Sequence, residues 1–170
     1  AFTGLAEQTK TVVLSYCSSA PAITDAGDFI FRNYPSDTYQ GAFAAEYLKG
    51  TLQKSKAAIM YVKSDWGIGI KDVFKEKFAA LGGEIVLEEG YEQTAREFRT
   101  QLTKLKGSGA DVVYFLGYTE ASIPALKQAK ELGLNMPLFG GDAWGDSKIW
   151  TDTGASGEGA MYTETSANPT

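Results

Sequence analysis

Short apolar runs alternate with amphipathic segments along most of this chain. Continuous apolar character predicts buried strands at residues 57–62, 84–88, 111–116, 137–139 and 160–163. Hydrophobic positions three or four residues apart predict the helices between them, at residues 66–81, 95–105 and 119–132. Apolar strands separated by helices are typical of a parallel sheet that is covered on both faces. The pattern therefore predicts an α/β fold with a doubly wound parallel sheet.

The first 35 residues have a different organisation. Residues 11–15 and 29–32 predict two further strands, joined by a loop rich in Ser, Ala and Pro. Ser36 then predicts the N-cap of the next helix. A nearly complete α/β unit thus extends over residues 36–165. Residues 1–35 are expected to form a strand–loop–strand remnant that lacks a complete sheet of its own.

Charge and composition exclude several classes of function. The 170 residues include 16 Lys and Arg against 21 Asp and Glu, and the net charge of −5 argues against nucleic acid as the main partner. The absence of His removes the Ser-His-Asp and Cys-His nucleophiles, and the single Cys cannot form an internal disulfide. No nucleotide-binding glycine motif and no metal-ligand spacing is present. We therefore expect no catalysis, no cofactor and no metal site. No apolar stretch approaches the roughly 20 residues of a membrane-spanning helix.

The ends of the predicted strands carry the best candidates for a binding site, because ligands of open α/β sheets bind beyond the carboxyl ends of the strands. Trp66, Tyr118 and Asp142 follow three of these strands, and aromatic residues with sparse polar groups are typical of a small-molecule cleft. Structural alternatives remain open. Trp66 and Trp144 each suit a place over the hydrophobic core. Asp65 suits a helix N-cap, and Asp142 suits a turn that it stabilises itself.

Eight short segments carry a family resemblance when they are taken in order. They are LSYCSSAPAIT, FRNYPSD, QG, YVKSDWG, FRTQLTKL, DVVY, QAKELGL and GGD. Together they resemble the type I periplasmic binding proteins. Within that family, the chain is most similar to the branch that binds branched-chain and other hydrophobic amino acids for ABC importers. The ordered set covers essentially the whole chain.

Members of this family have two lobes joined by hinge crossings, with the ligand between the lobes. The resemblance implies that residues 1–35 are a remnant of lobe one, which ends at a hinge crossing over residues 35–38. Residues 36–165 are implied to form lobe two. Residues 166–170 are implied to begin the second hinge crossing.

The resemblance also implies six ligand-binding residues, three of which lie in the loop after the first strand. In the amino-acid binders this loop holds the ligand α-carboxylate through a backbone N–H and a hydroxyl. Ser19 occupies the hydroxyl position, where Thr is usual. Cys17 occupies the position whose backbone carbonyl accepts from the α-ammonium, and Ser18 lies between the two.

The other three implied ligand-binding residues belong to lobe two. Trp66 is implied to close over the ligand, and Tyr118 is implied to pack against it or bond to it. Asp142 is implied to pair with the α-ammonium, at a position that is often Glu. Both charges of a zwitterion need partners in a closing cleft, because an unpaired buried charge is very costly.

The expected function is that of the extracytoplasmic solute-binding component of an ABC importer, which binds a branched-chain or hydrophobic amino acid or a similar amphipathic solute. The expected partners are this small molecule and an ABC permease in the membrane, without nucleic acid and without direct membrane insertion. The implied location is periplasmic or extracellular, with a lipid anchor left open. Two alternatives also remain, a ligand-sensing domain of a receptor or regulator and an enzyme on a flavodoxin-like scaffold.

Overall fold

The N-terminal part of the molecule forms a small sheet of its own. The computed structural model describes residues 3–165, so the second hinge crossing expected at residues 166–170 lies outside the described residues. Helix α1 (Thr3–Thr9) leads into strand β1 (Val13–Ser15), which pairs in parallel with strand β2 (Ile30–Arg32). Both predicted strands are therefore confirmed. The division into two lobes stays a prediction.

The main sheet has five strands, and all of its pairings are parallel. Its strands are β3 (Lys56–Val62), β4 (Glu84–Tyr91), β5 (Val112–Leu116), β6 (Leu138–Gly140) and β7 (Met161–Tyr162). They lie in the order β4–β3–β5–β6–β7. After β3 the chain turns to one edge as β4 and then crosses to the other side as β5. This reversal opens a crevice at the carboxyl ends of β3 and β5.

Helices cover both faces of the main sheet, which confirms the doubly wound α/β fold. These helices are α2 (Asp37–Glu46), α3 (Asp65–Ala80), α4 (Arg99–Gly107), α5 (Thr119–Glu131) and α6 (Ser147–Thr153). On one face, Phe74 of α3 packs against Tyr114 of β5. On the other face, Leu126 of α5 belongs to the cluster that contains Phe115 of the same strand. Successive residues of β5 thus contribute to two hydrophobic layers.

Serine side chains cap helices α2 and α3. The Ser36 Oγ accepts from the Thr38 N–H at 3.4 Å, which confirms the predicted cap of α2. The predicted cap at Asp65 is wrong, because the Ser64 Oγ accepts from the Gly67 N–H at 3.2 Å and Asp65 is the first helical residue. A cap residue lies just outside the helix, and its oxygen must reach the free N–H groups of the first turn. Ser64 meets both conditions.

Helix α4 begins later than its sequence pattern predicts. Thr94 and Glu97 have the spacing of a capping box, but the helix starts at Arg99. The Phe98 N–H just before it donates to the Gln128 Oε1 of α5 at 2.7 Å. The start of α4 is therefore stabilised by a neighbouring helix, and the predicted start at residue 95, with Thr94 as the cap, is wrong.

Candidate ligand-binding cleft

A cleft of about 1130 Å³ lies at the carboxyl ends of β3, β5 and β6. One wall is the loop after β1 together with a 3₁₀ turn at Pro21–Asp25. The opposite wall is the start of α3 together with the loops after β5 and β6. All six predicted site residues line this cleft: Cys17, Ser18, Ser19, Trp66, Tyr118 and Asp142. The structure brings them together, and their contact with a ligand stays a prediction.

Hydrogen bonds fix the loop after β1. The Ser15 Oγ donates to the Ser18 Oγ at 2.7 Å and accepts from the Ser18 N–H at 3.1 Å. The Arg32 guanidinium of β2 donates to the carbonyl oxygens of Ser19 and Ala20, at 3.2 Å and 2.9 Å. Because both the turn and its carbonyl groups are held, this wall of the cleft is preorganised.

A buried carboxylate lies behind this loop. Asp37 is 2% exposed, its N–H donates to the Ser19 carbonyl at 2.9 Å, and its Oδ2 has no hydrogen-bond partner within residues 3–165. Burial raises the pKa of Asp37 to about 6. The Ser19 hydroxyl and the Arg32 guanidinium oppose this rise, and the Asp142 charge adds to it. Ser19 is itself buried, whereas Cys17 is exposed.

Two aromatic rings pack against each other on the opposite wall. Trp66 is the second residue of α3, and Tyr118 directly precedes α5. Their ring centroids are 4.8 Å apart and the ring planes differ by 26°, so the rings are stacked. Stacked and partly exposed rings provide an apolar surface for a ligand side chain.

Trp144 has the structural role that the sequence left open. It is fully buried in the core and does not line the cleft. Its Nε1 donates to the Ser122 Oγ of α5 at 2.8 Å. A Cβ at Gly140 would lie 2.1 Å from the Trp144 Cδ2, so only a glycine leaves room for the indole there.

Asp142 is held by a residue from a distant part of the chain. It begins the short 3₁₀ turn Asp142–Gly145, and its Oδ2 accepts from the Tyr34 Oη at 3.0 Å, across 108 residues of sequence. Within the described residues, the carboxylate makes no hydrogen bond to its own turn. The structure therefore gives no support to the interpretation of Asp142 as a self-stabilising turn residue.

The walls of the cleft are acidic. Asp65, Asp72 and Asp142 line it, and none of its lining residues within the described part of the chain is Lys or Arg. A cleft of one charge sign attracts ligands that carry the opposite charge. The described residues of this chain that line the cleft therefore offer carboxylate, hydroxyl and backbone groups but no cationic side chain.

Two residues near the cleft have roles that sequence analysis missed. The sequence pattern predicts no role in the cleft for either Tyr34 or Asp37. Both lie here because the chain passes from β2 to the main sheet beside the cleft. Their only signal in the sequence is their position relative to the expected hinge crossing at residues 35–38, because Tyr34 directly precedes it and Asp37 lies within it.

The fold and the cleft together define a ligand-binding α/β protein with its site at a topological switch point. A family model described as periplasmic binding protein matches residues 1–169, and the chain belongs to this family. The family is one of binding proteins, and its name implies a location outside the cytoplasm. Within residues 3–165, the structure contains no helix with the length and apolar character needed to cross a membrane.

Similar proteins agree with this assignment. The leucine-, isoleucine-, valine-, threonine-, and alanine-binding protein of Pseudomonas aeruginosa is 29% identical over 162 residues, which cover 95% of this chain and 43% of the relative. A leucine binding protein of Thermotoga maritima has a TM-score of 0.90 and 24% identity over 98% of this chain and 49% of its own. A solute binding protein from R. palustris in complex with benzoate has a TM-score of 0.86 and 21% identity, with 95% and 45% coverage. The chain spans less than half the length of each of them.

Proposed function

We propose that this chain is part of the solute-binding component of an ABC importer, and that its cleft binds a branched-chain or hydrophobic amino acid. In this proposal residues 1–35 belong to one lobe, residues 36–165 belong to the other, and the ligand lies between them. The name of the Pseudomonas aeruginosa relative supports the class of ligand. An ABC permease is the proposed membrane partner, and the periplasm or the cell exterior is the proposed location.

The observation that carries this proposal is the distribution of charge in the cleft. The wall with Ser18 and Ser19 offers neutral hydroxyl and backbone groups, whereas the opposite wall offers the Asp142 carboxylate. A zwitterion placed between them has a neutral donor set for its carboxylate and an anion for its ammonium. Charge-assisted hydrogen bonds of this kind are about twice as strong as those between neutral groups. The Trp66–Tyr118 stack supplies an apolar surface for the side chain.

An aromatic carboxylate is the second candidate ligand. The stacked rings of Trp66 and Tyr118 suit a flat ligand, and the similar structure from R. palustris is a complex with benzoate. Benzoate, however, has no cation for Asp142, and the acidic residues that line the cleft oppose a simple anion. An amino acid is therefore the favoured ligand.

Substitution of Asp142 tests the proposal. In the intact protein, Asp142→Asn keeps the shape of the side chain but removes the charge that would pair with the ligand ammonium. We expect the affinity for leucine to fall by about 2–5 kcal/mol, or roughly thirty-fold to several thousand-fold, in isothermal titration. Ser19→Ala should cost less, about 1–3 kcal/mol, because backbone donors still hold the carboxylate.

Benzoate is titrated into the same proteins so that its affinity can be compared with that of leucine. If benzoate were the better ligand, and if Asp142→Asn improved its binding while leucine failed to bind, the amino-acid assignment would be wrong. If leucine binds but Asp142→Asn changes its affinity by less than about three-fold (~0.7 kcal/mol), Asp142 is not the ammonium partner.

A further inference from the structure

Tyr34 connects three separate segments of the chain beside the cleft. The Asn33 N–H donates to the Ser15 carbonyl at 2.8 Å and so extends the pairing of β2 with β1 up to Tyr34. The Tyr34 Oη donates to the Asp142 Oδ2 at 3.0 Å and shares a second hydrogen bond of 3.0 Å with the Thr165 Oγ1. One phenol thus joins the end of β2, the loop after β6 and the segment after β7.

This contact fixes one oxygen of the carboxylate that faces the cleft. The Asp142 Oδ1 has no hydrogen-bond partner within residues 3–165, and it therefore stays available to a ligand. An Asp side chain that is held in one rotamer loses less conformational entropy when a ligand binds. Burial raises the pKa of Tyr34; the Thr165 hydroxyl opposes this rise, and Asp142 adds to it. The phenol therefore keeps its proton and remains a donor near neutral pH.

We propose that Tyr34 is a positioning residue, which orients Asp142 so that its free oxygen receives the ammonium group of the ligand. This inference rests on the proposed function, because it assigns Asp142 to the ammonium. If Tyr34 only filled space between the two sheets, its replacement would weaken the binding of every ligand to the same extent. A positioning residue, by contrast, affects ligands that carry an ammonium and leaves others unchanged.

Two probes that differ only in the ammonium group separate these roles. Leucine and 4-methylpentanoate share a carbon skeleton and a carboxylate. In the intact protein, Tyr34→Phe keeps the ring and removes the hydroxyl. We expect the Kd for leucine to rise roughly ten-fold, as for the loss of one hydrogen bond to a charged group, and the Kd for 4-methylpentanoate to stay within about two-fold.

Three further variants complete the experiment. Tyr39→Phe is the matched control, because Tyr39 is 74% exposed and its hydroxyl makes no hydrogen bond within the described residues. It should leave both dissociation constants unchanged. Thr165→Val removes the second partner of the phenol, and it should weaken leucine binding selectively by about two- to three-fold. In an Asp142→Asn background, Tyr34→Phe should alter leucine affinity by less than about two-fold, because the group it positions is gone.

The outcomes are distinguishable. An equal loss of both probes in Tyr34→Phe, or an undiminished loss of leucine in the Asp142→Asn background, overturns the positioning role and leaves the proposed function intact. Failure of the unsubstituted intact protein to bind leucine overturns both. A selective loss of leucine that disappears in the Asp142→Asn background supports both.

Discussion

Asp37 is a carboxyl group beside the cleft whose pKa the fold changes strongly. Burial raises its pKa from the usual value of 3.8 to about 6, against the opposing influence of the Ser19 hydroxyl and the Arg32 guanidinium. Between these two pH values, the folded protein holds a proton that the unfolded chain has already released. The contribution of Asp37 to the free energy of unfolding therefore falls as the pH rises through this window, and it stays constant at higher pH.

Asp37→Asn removes this ionisation from the folded state. We expect the variant to be more stable than the wild type at about pH 8, by at most about 3 kcal/mol, with a difference that shrinks towards zero near pH 4. Urea unfolding over this pH range measures the effect. Asp25→Asn, which changes an exposed carboxylate, should show no such trend. A variant that is less stable than the wild type at about pH 8 would show that the charged form of Asp37 is stabilised in the fold.

The sequence predicts the role of a residue only where that role depends on its near neighbours in the chain. Ser36 caps α2 through an N–H two residues away, and the sequence predicts this cap. Trp66 and Trp144 both follow predicted strands, and their pattern does not distinguish them. Trp144 is buried because Gly140 lacks a Cβ and because the Ser122 hydroxyl of α5 accepts from its indole. These contacts depend on the folded arrangement of α5 and β6.

At the scale of elements, the hydrophobic pattern succeeds where an element is buried on both sides. Strand β5 is buried at every position, and its limits agree with the prediction within one residue. Helices α1 and α6 have seven residues each and were not predicted. The start of α6 depends on Asp146, whose Oδ1 accepts from the Lys148 N–H at 2.9 Å, and the start of α4 depends on Gln128. Short helices carry too few apolar positions to show a period.

Strands β1 and β2 are expected to be the least protected strands of this chain. Each has three residues, and Leu14 and Phe31 are 64% and 50% exposed. Small two-stranded sheets are marginally stable, because they bury little apolar surface. Hydrogen exchange followed by mass spectrometry should show faster exchange at Val13–Ser15 than at Val112–Leu116 in the isolated chain. Equal protection of these two strands in a demonstrated monomer would contradict this expectation.

At the scale of the whole molecule, the cleft follows from the order of the strands. The sequence pattern predicts the strands and the helices between them, but strand order is set by which edges pair after the chain has crossed the sheet. No strand order was predicted, whereas the resemblance to a known family supplied the six residues that the cleft brings together. Neither the hydrophobic pattern nor the family resemblance predicted the Tyr34–Asp142 contact. It depends on the distance between two loops that are 108 residues apart.

The proposed division of the cleft between two lobes predicts weak binding by this chain alone. The chain spans 43% of the Pseudomonas aeruginosa relative, and in the proposed division residues 1–35 are only a remnant of one lobe. A ligand held by one nearly complete lobe keeps much of its surface in water and lacks partners from the rest of the other lobe.

We expect the isolated 170-residue chain to bind leucine at least roughly 100-fold more weakly than the intact protein, a difference of about 2.7 kcal/mol. Isothermal titration of both proteins measures this difference, with near-ultraviolet circular dichroism of the buried aromatic residues as the control for a folded main sheet. Equal affinities would show that this 170-residue chain already contains every group that the ligand needs, and the two-lobe division of the site would then be wrong.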